Sequence, residues 1–231
     1  MKSEALLHNR LVRFWGDPTQ DKFNNFFASY GLFNGEDDAQ NLVKLGAYLL
    51  QSGVIKRDTT KPYNQTLGLY NWVNVTEGNI SFHVGVEYFL KGVFLYKGFA
   101  INERNDKKAT LTKIKGSKSK LNPKKAHTLD FFIKNVPDVV DFSDFDKNQA
   151  KKNLTRGKKF NGIISDNYKN PTAQEVLNYV RLTRNTYLHN WRTIPEFKGI
   201  TNTKSELFNY IAKQVFNKSI EEIAKLEIVY I

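Results

Sequence analysis

Apolar positions return with a helical period through the second half of the chain. At about 100° per residue, Val176, Leu177, Val180, Tyr187, Leu188 and Trp191 fall within an arc of roughly 120°, the width of a core-facing stripe. Pro171 and the capping box Thr172-Ala173-Gln174-Glu175 sign its start, so the pattern predicts one amphipathic helix from Pro171 to Trp191. A second box, Thr203 to Glu206, opens a stripe of Leu207, Ile211, Val215, Ile220 and Ile223 that is expected to pack on the first helix. Thr128 to Asn135 and Ser143 to Leu154 read as short helices. Near the N-terminus, Glu4 to Phe14, Asp21 to Ser29 and Asp37 to Gln51 read as helices, the last closed by Gly53, with turns at Gly16-Asp17-Pro18 and Asn34-Gly35.

Between Leu67 and Ile101 the pattern changes. Aromatic and β-branched residues recur, Gly78, Gly85, Gly92 and Gly98 punctuate them, and Ile80, Phe82, Val84, Val86 and Tyr88 alternate as in a half-buried strand. The fold class expected is mainly α with a small β or hairpin insert. Residues 1–231 form a single mainly helical domain on this reading, with 67–127 as a β-rich insert ending in a basic arm and 128–231 as the helical part bearing the candidate chemistry. No internal repeat is present.

Charge points to a polyanion. Lys and Arg number 35 against 23 Asp and Glu, a formal net charge of +12, which favours nucleic acid without choosing between RNA and DNA. Lys107, Lys108, Lys113, Lys115, Lys118, Lys120, Lys124 and Lys125 follow one another with no acid between them, among Gly116, Ser117, Ser119 and Pro123. They read as a flexible loop or hairpin arm that tracks phosphates, or as a solvated charge run. A second cluster, Lys147, Lys151, Lys152, Arg156, Lys158 and Lys159, leads toward the 171–191 helix, and the two clusters form a groove if they face one way. There are no cysteines, so disulfides, thiolate zinc sites and cysteine nucleophiles are excluded. Met1 to Trp15 carries Glu4, His8, Arg10 and Arg13, unlike a signal peptide, and no run approaches membrane-span length. A cytoplasmic protein without a membrane partner is expected.

On the 171–191 helix, Arg181, Asn185, His189 and Arg192 share the face beside the apolar stripe, whereas Arg184 points into the stripe between Trp191 and Leu177. A guanidinium there needs an anion, because an unpaired buried charge costs several kcal/mol. One source is an intrachain acid, which Asp130, Asp138, Asp141, Asp144 and Asp146 could supply, a role favoured over cation binding because they reproduce no recognisable ion-binding loop; another is a phosphate or a site completed by a second chain. Arginine stays charged and forks onto phosphate oxygens, while histidine moves protons near neutrality. Asn185, four residues before His189, stacks beside it and is placed to orient the imidazole or a bound ribose. Such a set grips and cleaves a phosphodiester without a metal.

The stretch Arg184-Asn185-Thr186-Tyr187-Leu188-His189 resembles the HEPN superfamily, whose nucleases carry Arg, then Asn, His or Asp, then three residues and His on a helix of an α-helical bundle. The resemblance implies a HEPN-like bundle over 128–231 and a metal-independent endoribonuclease with no cofactor. It implies Arg184, Asn185 and His189 as the catalytic set, paired across a homodimer interface, and a defence or toxin role with an antitoxin or a larger defence complex as partner. RNA would be cut by attack of the 2′-hydroxyl on the adjacent phosphate. His189 would act as general base or acid, Arg184 would stabilise the phosphorane, and Asn185 would hold histidine or ribose; the eight arm lysines with Arg181 and Arg192 would bind the strand. Along an ideal helix Arg184 and His189 are separated by roughly 7.5 Å of rise and about 140°, a gap that arginine's reach or a second protomer's helix closes.

Two other readings stand beside this one. A metal-dependent DNA nuclease could use Glu196-Phe197-Lys198 with Asp166, but Pro195 and Gly199 leave too short a run for the strand such a site needs. A non-catalytic RNA- or nucleotide-binding module, or a subunit of a larger nucleic-acid complex, shares the basic surface and lacks cleavage.

Overall fold

The computed structural model describes residues 36–58, 68–106, 109–115, 117, 120–159, 169–185 and 198–225. They are mainly helical: α1 (Glu36–Asp58), α2 (Gly68–Tyr96), β1 (Asn102–Arg104), β2 (Leu121–Ala126), α3 (Leu129–Asn135), α4 (Ser143–Lys159), α5 (Ala173–Asn185), α6 (Lys198–Phe216) and α7 (Ile220–Ala224). The helices expected over 4–14 and 21–29 lie outside these residues.

The segment expected to be strands is the long helix α2, and the reason is its position. It packs along α1 on one side, meets α6 through Phe82 and Phe89 against Phe208, and meets α3 through Phe94 against Phe132. A helix covered on several sides is apolar nearly all round, so its 3.6-residue period is faint and a chance alternation over Ile80–Tyr88 dominates. β-propensity then yields to tertiary burial.

Gly53 and three of the four glycines read as punctuation lie inside helices, where they are contact points. Gly46 and Gly53 on α1, and Gly85 and Gly92 on α2, recur at seven-residue spacing. A Cβ on Gly46 would stand 2.4 Å from the backbone N of Phe89, and one on Gly85 2.6 Å from that of Leu50. The two helices run antiparallel at a separation only glycine permits, and α1 continues through Gly53 to Asp58. Gly98 alone ends a helix: at φ 79° it closes α2 as its N–H donates to Leu95 O and that of Phe99 to Phe94 O, with the Phe94 and Phe99 rings in contact.

The β structure follows α2. β1 and β2 pair antiparallel with an irregular register, Asn102 opposite Ala126 and Arg104 opposite Leu121, and an isolated bridge joins Phe99 to Lys113. The lysine segment is therefore tied down at 112–114 and 120–126, with Leu121 buried.

The core gathers Phe89, Phe94, Phe132, Leu129, Leu177, Leu207, Phe208 and Ile211, each worth about 1.5–3 kcal/mol on full burial. The expected stripe of the last segment is buried, and α6 packs on α5. Its start differs: α6 begins at Lys198, so Thr203 lies inside the helix, buried, while the capping box that forms is Ser219–Glu222 at α7. α4 extends beyond Leu154 to Lys159.

Candidate functional site

Helix α5 is fixed at its start by two carboxylates. Thr172 N and Oγ1 donate to Glu175 Oε2 at 2.7 and 2.8 Å, and Glu175 N donates back to Thr172 Oγ1, the capping box read from the sequence. Asp146 of α4 accepts from Ala173 N at 2.7 Å. Val176, Leu177 and Val180 are buried as the stripe required.

At the other end, Arg184 Nη2 donates to Glu87 Oε2 across the α2–α5 interface at 3.1 Å. The acid is none of the five aspartates within and between α3 and α4. Asp141 accepts from the backbone N and hydroxyl of Ser143, bonds that hold its carboxyl below the usual range; Asp144 pairs with Lys147, Asp146 caps α5, and Asp130 and Asp138 are exposed. Glu87 Oε1 takes Lys91 Nζ at 2.8 Å, one turn along α2. Arg184 and Glu87 side chains are 28% and 24% exposed, so the cluster reaches solvent.

One turn before Glu87, His83 is 2% exposed and sits under the same seam. Its Nδ1 donates to the Asn79 carbonyl at 2.7 Å, which leaves Nε2, 2.9 Å from Thr183 Oγ1, to accept that hydroxyl when the ring is neutral. Thr183 Oγ1 also lies 2.9 Å from the Tyr179 carbonyl. Beside it Lys204 of α6 is 3% exposed, its Nζ 5.1 Å from the Phe82 ring and 5.5 Å from that of Tyr179. Sequence reasoning missed His83, Glu87 and Lys91. Their i, i+4, i+8 spacing is the signal, and it acquires meaning only once the segment is known to be a helix.

Of the remaining expected residues only some are described. Asn185 is the last described residue of α5 and is described by its backbone alone, while His189 and Arg192 lie outside the described residues, as do Asp166 and Glu196. Arg181 is half-buried, its Nε without a hydrogen-bond partner among the described residues. Of the arm, Lys113, Lys115, Lys120 and Lys125 are exposed, Lys113 lying 5.8 Å over the Phe99 ring. Lys124 is placed by the backbone of β2, and Lys107, Lys108 and Lys118 are outside the described residues.

His127 is buried apart from this seam, its ring stacked on Phe131 at 3.6 Å. Its Nε2 has no hydrogen-bond partner among the described residues. Burial holds its pKa below the ordinary value, with Glu103 pulling weakly the other way. Among the described residues no three His, Asp or Glu side chains gather to hold a metal, and no helix is long and apolar enough to cross a membrane. No family model matches the chain, nor does any curated protein or solved structure.

Proposed function

We propose that the chain is a metal-independent endoribonuclease, a HEPN-like two-fold dimer that cuts RNA by attack of the 2′-hydroxyl on the adjacent phosphate. The observation that carries this reading is the cluster of Arg184 and Lys91 on one Glu87 carboxylate, partly exposed on the turn just before Asn185. Two cations against one anion leave a positive surplus. A guanidinium has five N–H donors, and among the described residues Arg184 commits one nitrogen to Glu87. On this reading the rest of the fork meets phosphate oxygens.

In the proposed mechanism His189 moves the proton, a contribution of about 10² to 10⁴ in rate. Arg184 meets the charge that develops on the phosphorane, and removing such a contact costs about 10² to 10³. Asn185 orients histidine or ribose. A second protomer's helix supplies the geometry that one helix lacks, which is the argument for the dimer. A defence or toxin role, with an antitoxin or a larger defence complex as partner, is what the HEPN resemblance suggests, and the lack of cysteines fits a cytoplasmic setting. The second reading, a non-catalytic RNA- or nucleotide-binding module, is favoured by Arg184 already having an intrachain acid.

Incubation with mixed RNA in excess chelator tests the proposal: single-stranded or loop RNA should be cut to cyclic-phosphate or 3′-phosphate ends, and His189→Ala should abolish this with RNA affinity kept. Activity that vanishes on chelation and returns with magnesium overturns the mechanism. Full cleavage by His189→Ala removes His189 from it and leaves only the binding reading of this site.

A further inference from the structure

Helix α4 has two unlike faces. One holds the fold: Asp146 caps α5, Gln149 and Lys152 both donate to Glu206 of α6, and Asn153 brackets the backbone of Asn170. On the opposite face Lys147, Lys151, Leu154 and Lys158 fall within an arc of roughly 60° and span about 16 Å. Leu154 is 69% exposed. Lys151 and Lys158 are exposed with no ion pair among the described residues, and Lys147 makes only a loose 3.5 Å pair with Asp144 in which both side chains are more than 70% exposed.

We propose that this face is a track for the backbone of single-stranded RNA. The three ammonium groups contact successive phosphates, and Leu154 lies between them against sugar or base. Charge complementarity selects a polyanion. The choice of RNA rests on the ribonuclease reading above. The basic cluster seen in the sequence is thereby divided, since Lys152 is engaged with Glu206 and only the outward lysines belong to the track.

The placement also sets a length requirement. α4 is attached at the first turn of α5, and roughly 16 Å of helix separates Ala173 from Arg184, on the order of five stacked nucleotides at about 3.4 Å each. A dinucleotide cannot touch both the track and Arg184, whereas a strand of some fifteen nucleotides can.

The test compares wild type with the triple variant Lys147→Gln, Lys151→Gln, Lys158→Gln, and with Lys152→Gln as control. Binding of a 20-nucleotide single-stranded RNA is measured in a His189→Ala background across a salt series, and cleavage of a dinucleotide with His189 intact. The triple variant should bind the long RNA on the order of 10- to 100-fold more weakly at about 0.1 M salt, with a log–log salt slope shallower by about 2. Its dinucleotide cleavage should be unchanged, and Lys152→Gln should keep the wild-type slope. Unchanged affinity and slope in the triple variant overturn the track even if the protein cuts RNA. Loss of binding to anionic phospholipid vesicles, with RNA binding untouched, assigns the face to a membrane and overturns it as well. Wild type that binds through these lysines but never cuts sinks the ribonuclease reading and leaves the track standing.

Discussion

Glu87 stands 3.1 Å from Arg184, 97 residues away in the chain, and it is the contact that gives the motif arginine a defined place. The pair is part-exposed, so its net contribution to stability is modest, about 1 kcal/mol or less. Its larger effect is on what Arg184 is free to do.

Glu87→Gln should therefore lower Tm by only about 2–4 °C and strengthen RNA binding, because the surplus positive charge on Arg184 and Lys91 grows by one. Arg184→Ala should act the other way, weakening RNA binding and cleavage together. Thermal melts and RNA titrations on both variants check this; weaker RNA binding by Glu87→Gln would mean that the carboxylate itself contacts the ligand.

His127 makes stability depend on pH. Its folded pKa lies below the unfolded value of about 6.5, so the unfolded chain takes up the proton first. Stability should be fully present above about pH 6.5 and decline as pH falls from there toward the folded pKa. His127→Phe keeps an aromatic ring against Phe131 and loses no hydrogen bond from Nε2. Denaturant melts between pH 7.5 and 5 should show that decline in wild type and a smaller one in the variant; equal declines would place the proton elsewhere.

The glycine contacts separate two reasons for having glycine. Gly46→Ala gains about 1 kcal/mol of helix propensity but drives a Cβ to 2.4 Å from the Phe89 backbone, and overpacking of that kind costs about 1–3 kcal/mol. Net destabilisation should follow. Gly98→Ala meets nothing within 4 Å, yet its φ of 79° strains an L residue by about 1 kcal/mol or more. Both should lower the urea midpoint, Gly46→Val more than Gly46→Ala, with Gly98 insensitive to side-chain size beyond Cβ.

Legibility follows how local each feature is. The Thr172–Glu175 box, the buried stripe of α5 and the need of Arg184 for an anion can all be read from a dozen consecutive residues. The identity of that anion cannot, because Glu87 lies in a segment whose all-round apolarity hides its helical period, and with it the row of His83, Glu87 and Lys91. Thr203–Glu206 shows the converse failure: a sound local box is overridden when the helix is already running upstream of it and buries Thr203. The seven-residue recurrence of glycine was visible throughout, but its meaning depends on two helices facing each other.

The two caps on α5 bear on portability. One, Glu175, travels with the segment; the other, Asp146, belongs to a different helix, as does Glu87. An isolated helix of a few turns is marginal in water by itself. Cut out as a peptide, or spliced into a foreign scaffold, the stretch around Arg184 would keep its letters and lose the neighbours that give them an address, so the motif is a property of the assembled chain and not of the segment that spells it.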